Sequence, residues 1–281
     1  MKQSFLLVVL SLFFYVQCSF SQEFTKNSEK YSAHNKGKFY FYWGGNRETF
    51  STSDIRFKGS DYDFTIYDVV AHDKPKGWHI DYINPARMTI PQTNFRMGYF
   101  INDHYNISLG IDHMKYVMLQ NKTVTYSGNY PNAESYNENP NGNQLTLDES
   151  FLTFEHTDGL NYINTEITRV DDFSHVLKLP NIDKFQINTL GGIGIGLLFP
   201  KTNATVLSKE RHDDFHVSGY GASAKVGLNF TFYKHFFIQT ELKGGFINMN
   251  DIKTTALNED TAEQQFWFLQ RIIAFGGIFR L

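Results

Sequence analysis

The stretch from Phe185 to Phe199, FQINTLGGIGIGLLF, alternates between apolar residues and polar or glycine residues. Its odd positions are mostly apolar, whereas its even positions hold Gln186, Asn188 and several glycines. Successive side chains of a β-strand point to opposite faces, so the pattern predicts a strand with one apolar and one polar face. Soluble strands average about 5–6 residues, whereas a tilted strand that spans a membrane needs about 9–11. The length of the stretch therefore favours a membrane barrel over a soluble sandwich.

The same alternation recurs along the chain and predicts eight strands. They lie near 37–50, 91–101, 105–119, 151–170, 184–199, 217–233, 236–248 and 264–281. The expected fold class is all-β, an antiparallel up-and-down transmembrane β-barrel with its apolar faces in lipid and its polar faces in the lumen. Asp54–Val70 also contains strand-like sequence. We interpret it as a hairpin that projects from the first long loop; if it spans the membrane instead, the barrel has ten strands.

The connections between the predicted strands differ in length on the two sides. Short turns at 102–104 and 234–235 fall on one side, and the long connections, including 51–90 and 120–150, fall on the other. Outer-membrane barrels have short periplasmic turns and long extracellular loops, and an even strand count leaves both barrel termini in the periplasm. The two long loops are rich in Tyr, Asn and Asp. They are predicted to make polar contacts with an extracellular ligand that the sequence does not identify.

The first 21 residues have the three parts of a secretory signal peptide. Lys2 supplies a positive charge, Phe5–Val16 is apolar and uncharged, and Ser19-Phe20-Ser21 offers small residues for cleavage before Gln22. A lipoprotein signal that ends at Cys18 is the alternative, although the residues before this cysteine match a lipobox poorly. The polar segment 22–36 is expected to be a flexible periplasmic lead-in to a barrel over 37–281.

Composition excludes several classes of protein. Lys and Arg number 26 against 29 Asp and Glu, and loss of Lys2 leaves 25 against 29, a net charge of −4. Nucleic-acid binding needs a basic face, so we expect no nucleic-acid partner. Aromatic residues make up 16% of the chain, which argues against disorder. Cys18 is the only cysteine, so the exported chain has no disulfide and no thiolate chemistry.

The end of the chain carries a family resemblance. Counting back by twos from the terminus gives Leu281, Phe279, Gly277, Phe275 and Ile273. This pattern is similar to the C-terminal assembly signal of outer-membrane β-barrel proteins of Gram-negative bacteria, in which the last residue is usually aromatic. With the signal peptide, the chain resembles small outer-membrane barrels of the Bacteroidota type. The resemblance implies insertion into the outer membrane by the barrel-assembly machinery but no particular activity. We expect a monomer surrounded by outer-membrane lipid.

Projecting the polar faces inward predicts a charged lumen. The inward charges are Arg96, Asp112, Glu166, Lys225, Glu241 and Lys243. Eight strands leave an interior just wide enough for side chains, so we predict a plug of paired charges. A narrow conduit, in a channel or uptake protein, is the alternative. The position of Arg271 has the same parity as lipid-facing Ile273 and Phe275. It therefore either lies beyond the apolar band or follows a β-bulge that shifts the parity.

One segment resembles a catalytic motif. Glu155–Asn161 loosely resembles the H-x-S-N motif of outer-membrane lipid A deacylases. That resemblance implies His156 as the base, Glu166 as the residue that orients it, and a serine nucleophile. Asp158 stands at the nucleophile position, and an Asp-Gly turn explains the segment equally well. We therefore expect no enzyme, with a lipid-modifying hydrolase that uses His156 as the alternative.

A second cluster has the composition of a metal site. His212, Asp214 and His216 could bind a divalent ion, but such clusters are more often solvated loops. We expect neither a metal nor another cofactor. The function that the sequence favours is a structural or surface-interaction role for a closed barrel that acts through its extracellular loops.

Overall fold

The alternating segments pair into one antiparallel sheet that closes on itself. The computed structural model describes residues 34–75, 77, 92–136 and 142–280. The predicted signal peptide 1–21, most of the 22–36 segment and Leu281 lie outside these residues. Residues Asn35–Leu281 belong to one unit. A single short helix, α1, covers Ala133–Tyr136 among the described residues. The strands are β1 (Lys38–Phe50), β2 (Ser53–Lys58), β3 (Asp63–Val69), β4 (Ala71–His72), β5 (Thr93–Phe100), β6 (Tyr105–Met118), β7 (Thr123–Asn129), β8 (Gln144–Thr146), β9 (Leu152–Asp172), β10 (Phe185–Leu198), β11 (Asn203–Val206), β12 (Gly219–Phe232), β13 (Phe236–Lys253) and β14 (Thr261–Arg280).

Eight of these strands form a closed ring. They follow one another in chain order as β1, β5, β6, β9, β10, β12, β13 and β14, and β14 pairs with β1 to close the ring. The closing register runs from Lys38 opposite Arg280 to Phe50 opposite Phe268 without a shift. The predicted eight-stranded, antiparallel up-and-down barrel is thus confirmed.

The segment 54–70 does not enter the ring. It forms the hairpin of β2 and β3, in which β2 pairs with the first residues of β14 and β3 pairs with β7. The hairpin prediction is therefore confirmed, and the ten-stranded alternative is wrong. Pairing outside the ring is possible because β14 starts at Thr261, several residues before the ring begins to close at Phe268.

The two ends of the barrel are built differently. Connections 101–104, 173–184 and 233–235 contain no strand, and we call this side the open end. The opposite connections, 51–92, 119–151, 199–218 and 254–260, contain all the remaining strands. We call the described residues of these four connections the cap. At the open end, the amide of Lys36 donates a hydrogen bond to Asp103 Oδ1 at 3.0 Å, which ties the end of the 22–36 segment to a turn.

The cap has an apolar core of its own. Residues Ile55, Phe57, Phe64 and Ile66 of the hairpin pack with apolar residues from the ends of the neighbouring barrel strands, and all four are fully buried. The cap strands therefore enclose apolar residues that the sequence did not place in a core of their own. Their apolar residues are removed from water because the extended ends of β9 and β14 give the loop strands a sheet to pair with.

The outer face of the ring carries exposed apolar side chains on every ring strand, and we call this surface the outer belt. Inward and outward side chains alternate along each strand, so the residues between the belt positions point into the lumen. All eight ring strands contribute to the outer belt, and β5 contributes only residues of its open-end half. The members of the belt are Phe39, Phe41, Met97, Tyr99, Tyr105, Ile107, Leu109, Ile111, Ile167, Ile193, Ile195, Leu197, Tyr220, Leu228, Phe236, Ile238, Leu242, Trp267, Leu269, Ile273, Phe275 and Phe279. No helix in the described part of the chain is long and apolar enough to cross a membrane.

Candidate functional site

Six charged side chains meet in the middle of the barrel, and we call them the lumen cluster. They are the six residues that the sequence pattern assigns to the lumen: Arg96, Asp112, Glu166, Lys225, Glu241 and Lys243. None is more than 5% exposed. Three are cations and three are carboxylates, so the formal charges cancel. Because an unpaired charge is very unfavourable in a dry interior, this balance makes a stable, closed cluster possible.

Glu166 lies at the centre of the lumen cluster. Its Oε1 is 3.0 Å from Arg96 Nη2 and 2.6 Å from Lys243 Nζ, and its Oε2 is 2.7 Å from Lys225 Nζ. Lys225 also contacts Glu241 Oε1 at 2.8 Å, and Lys243 also contacts Asp112. Cations and carboxylates therefore alternate through the cluster, and each lysine bridges two carboxylates.

Neutral polar side chains complete the coordination of the charges. Arg96 donates through Nη2 to Asn164 Oδ1 at 2.6 Å, through Nη1 to Ser108 at 3.2 Å and through Nε to the Tyr42 hydroxyl at 3.1 Å. The Tyr42 hydroxyl in turn donates to Glu241 at 3.3 Å. Sequence reasoning missed these partners. All three occupy inward positions: Asn164 and Ser108 lie on the strands of Glu166 and Asp112, and Tyr42 lies on β1. The period-two pattern therefore contains the signal that could have identified them.

Glycines leave room for the large charged side chains. Gly110 lies opposite Arg96 in the β5–β6 pair, and Gly194 lies opposite Glu166 in the β9–β10 pair. A Cβ at Gly110 would lie 2.8 Å from the Arg96 guanidinium carbon, and one at Gly194 would lie 2.6 Å from Glu166 Cγ. Both distances are too short for a side chain. The glycine-rich inward faces are thus required by the width of the charged lumen.

The lumen cluster lies between a cavity at the open end of the barrel and the cap core. Towards the open end, a polar cavity extends inward as far as Lys225 and Gln239. Gln239 donates to Glu241 Oε1 at 2.6 Å and accepts from Asn229 at 2.9 Å, which joins the cavity wall to the cluster. Towards the other end, the cap core packs over the barrel. The open-end cavity therefore ends at the charges.

A further buried carboxylate, Glu48, lies between the lumen cluster and the cap. It accepts hydrogen bonds from Gln270 at 3.0 Å and Gln92 at 2.5 Å, and Gln92 also contacts Asp73 of the cap. Glu48 has an inward position on β1 and was not among the predicted lumen charges. These amide contacts link the cap to the barrel wall.

The predicted catalytic residues are not assembled into a site. His156 is fully buried in the cap core, with its ring centroid 4.9 Å from Phe154 and 5.8 Å from Tyr116. Its Nδ1 lies 3.1 Å from the hydroxyl oxygen of Thr202, which is also buried. Burial lowers the pKa of His156 to about 3. A neutral imidazole enclosed by aromatic rings has no route to a substrate.

The two carboxylates proposed to act with His156 lie elsewhere. Glu166 is ten residues further along β9 and belongs to the lumen cluster, so it does not orient His156. Asp158 is exposed, and its carboxylate is 3.9 Å from Lys201 Nζ. The sequence alternative of a catalytic group formed by these three residues is thus wrong. Ten residues along a strand separate two side chains by about 33 Å. The resemblance to the catalytic motif was based on residue types and did not include this distance.

The buried His156 predicts a sensitivity of the folded protein to acid. The unfolded chain takes up a proton near pH 6.5, whereas the folded chain does so only near pH 3. The lowered pKa of His156 therefore adds its full contribution to the unfolding free energy above pH 6.5, and this contribution is lost as the pH falls towards 3. Between pH 7 and pH 5, the wild type should lose about 2 kcal/mol more unfolding free energy than His156→Gln. Urea unfolding of both proteins at the two pH values measures this difference, and equal losses would contradict it.

The predicted metal residues do not converge either. His216 Nε2 lies 2.8 Å from Asp251 Oδ2 rather than beside His212, and Asp214 is exposed. Within residues 34–75, 77, 92–136 and 142–280, no group of three or more His, Cys, Asp or Glu side chains could hold a metal ion. His212, Asp214 and His216 lie at alternate positions of the 199–218 connection, and this spacing does not bring them together as a metal-binding group.

Fold and interior together define a closed eight-stranded barrel with a charge-filled lumen and a folded cap. No family model matches the chain, and no curated protein matches it. Among solved structures, the outer-membrane protein OprG from Pseudomonas aeruginosa is similar, with 12% identity, a TM-score of 0.36 and coverage of 89% of this chain and 100% of that one. Neisserial surface protein A is similar with 9% identity, a TM-score of 0.29 and coverage of 84% and 96%. The Ail protein of Yersinia pestis is similar with 9% identity, a TM-score of 0.24 and coverage of 85% and 99%. These scores are low, and the barrel assignment rests on the strand pairing described above.

Proposed function

We propose that the protein is an outer-membrane barrel with a closed lumen that presents its folded cap at the cell surface, in a structural or surface-interaction role. The observation that carries the proposal is the neutral, buried lumen cluster, which fills the barrel between the open-end cavity and the cap core. On this proposal the chain is exported with cleavage between Ser21 and Gln22, inserted by the barrel-assembly machinery, and monomeric.

The outer belt supports the membrane location. Soluble monomers rarely expose an apolar patch larger than about 300–600 Å², whereas here exposed apolar side chains surround the ring. Aromatic residues such as Phe39, Tyr99 and Phe236 mark the open-end border of the belt, as expected of a girdle at a membrane interface. The strand-free connections of the open end match periplasmic turns, which supports an outward orientation of the cap.

Leu228→Arg tests the membrane location. Leu228 is 42% exposed on the outer belt, and an arginine near the middle of the lipid-facing surface costs about 2–4 kcal/mol in outer-membrane barrels. We expect much less folded protein in the membrane fraction, measured by the change in gel mobility between unheated and boiled samples. Leu257→Arg is the control, because Leu257 is 48% exposed but lies in the 254–260 connection of the cap. Equal folding of the two variants would contradict a lipid-facing belt.

Conductance tests the closed lumen. Buried opposite charges at close range attract strongly, and separating them to admit water would leave each without its partner. We therefore expect no stable channel activity from the wild-type protein in a planar bilayer. A porin of known conductance, reconstituted in the same bilayer, controls for insertion. Large, steady current steps from the wild type would reject the closed lumen and favour the channel alternative.

A further inference from the structure

A buried carboxylate at the junction of the barrel and the cap forms no ion pair with a cation among the described residues. Glu48 is 3% exposed and lies on β1 opposite Gln270 of β14. Its side-chain hydrogen bonds come from the neutral amides of Gln92 and Gln270. Burying a carboxylate without a counter-charge is very unfavourable. The surroundings of Glu48 therefore favour a positively charged ligand.

A second carboxylate adds to the negative charge at this junction. Asp73, which directly follows β4, accepts a hydrogen bond at Oδ2 from the backbone amide of Glu48 at 3.1 Å, and its Oδ1 contacts Gln92 Nε2. The same Gln92 nitrogen contacts Glu48 Oε2 at 2.5 Å. One amide nitrogen therefore lies between two carboxylates. The lumen cluster does not neutralise them, because its three cations are already matched by three carboxylates.

Two buried amide oxygens at the same place have no hydrogen-bond donor among the described residues. They are Gln92 Oε1 and Gln270 Oε1, and both side chains are fully buried. Each oxygen belongs to the same planar amide group as the Nε2 that donates to Glu48, so both lie close to that carboxylate. Burying an acceptor without a partner is costly. A cation beside Glu48 would pair with these oxygens as well as with the two carboxylates.

The chemistry of these side chains identifies the class of cation. Carboxylate and amide oxygens suit calcium, whereas thiolate and imidazole ligands suit zinc. Two carboxylates balance the charge of a divalent ion, and with the two amides they offer up to six oxygens, against the 6–8 or so that calcium takes. A half-turn of the Gln92 amide exchanges its nitrogen for its oxygen, which gives the ion a ligand between the carboxylates. Magnesium keeps several of its waters, so it fits such an all-protein site less well.

We propose that a calcium ion binds at the junction of the barrel and the cap. Its protein ligands are side-chain oxygens of Glu48, Asp73, Gln92 and Gln270. Asp73 is partly exposed, so the ion enters on its side, whereas the other three side chains are buried. Glu48 and Gln270 belong to ring strands, whereas Asp73 and Gln92 belong to the cap, so the ion joins the two parts of the protein. Calcium binding here goes beyond the proposed function and does not depend on the membrane location.

Calcium titration of the folded protein tests the site. The full chain is purified in neutral detergent, stripped of metal with a chelator and titrated with calcium chloride in an isothermal calorimeter. We expect one saturable site per chain, at least tenfold weaker binding in Glu48→Gln and in Asp73→Asn, and at least tenfold weaker binding of magnesium by the wild type. Glu210→Gln is the matched control, because Glu210 is an exposed carboxylate of the cap. It should bind calcium like the wild type.

The stability of the protein provides a second measurement. Calcium should raise the urea concentration at the midpoint of unfolding for the wild type and for Glu210→Gln, but not for Glu48→Gln, because a ligand that binds only the folded state stabilises it. A wild type that shows no saturable binding and no such rise overturns the site. Binding by Glu48→Gln and Asp73→Asn as tight as that of the wild type also overturns it.

The remaining outcomes separate this site from others. Weaker binding in Asp73→Asn alone would place the ion on the cap surface, and equal affinities for calcium and magnesium would indicate a loosely held surface ion. Either result overturns the buried site. The gel-mobility shift between unheated and boiled samples is recorded for every variant, so that failure to fold is not mistaken for failure to bind. Absence of the shift in the wild type would reject the membrane barrel, whereas its presence without calcium binding rejects the calcium site alone.

Discussion

Replacement of Lys225 and Lys243 together by methionine is expected to prevent stable folding of the barrel rather than to open a pore. Glu166 would lose two of its three cationic partners, and Glu241 and Asp112 would each lose a lysine. Removal of one partner from a buried ion pair costs about 3–5 kcal/mol, so two removals approach the whole stability of a typical domain, about 5–15 kcal/mol. Urea unfolding in lipid vesicles should show the loss, together with absence of the folded gel form.

Two further variants isolate the charge effect. Lys234→Met removes an exposed lysine at the open end, which pairs with Asp183, and should change stability little. Lys225→Met combined with Glu241→Gln removes one cation and one carboxylate, so it should fold better than Lys225→Met alone. If the Lys225 and Lys243 double variant instead folds normally and conducts, the lumen cluster closes the pore without stabilising the barrel.

The period-two pattern was sufficient to predict the ring and six of the charged residues that point into it. A strand exposes alternate residues to opposite faces, so the parity of Arg96 or Glu241 along its own strand assigns it to the lumen. The pattern does not predict which of the charged side chains contact each other. Arg96 and Glu166 lie on strands that are not neighbours in the ring, and contact across a lumen depends on the stagger of the strands. The central position of Glu166 therefore emerged only from the structure.

The packing of the cap could not be predicted from the sequence, because its strands pair with partners outside their own segment. Phe57 and Phe64 lie in the predicted hairpin, but the sequence does not indicate which strands this hairpin packs against. They are buried because β14 begins at Thr261 and gives β2 an edge to pair with. For the same reason His156 resembled a catalytic residue in the sequence, whereas it packs between aromatic rings in the cap core.

The aromatic packing in the cap core leads to a prediction about the stability of the cap. Phe57 is fully buried, with its ring centroid 5.2 Å from that of Phe64 and 5.5 Å from that of Phe154. Phe57→Ala should destabilise the cap by about 3–5 kcal/mol through lost packing and a residual cavity. The barrel should stay folded, because the lumen cluster makes its contacts within the ring strands. The expected result is therefore a loosened cap on an intact, heat-resistant barrel.

Proteolysis of intact cells measures that loosening. Lys209 of the cap pairs with Asp61 and Asp260, and its ammonium group lies 4.6 Å from the centroid of the Tyr62 ring, so the folded cap holds this trypsin site in place. Trypsin should cleave there much faster in Phe57→Ala than in the wild type, and the unheated gel form of the barrel should persist. Phe215→Ala is the control, because Phe215 is a cap phenylalanine that is 42% exposed. Loss of the folded gel form in Phe57→Ala would mean that the cap and the barrel unfold as one cooperative unit. Resistance of Lys209 in intact cells but not in lysed cells would contradict the outward orientation of the cap.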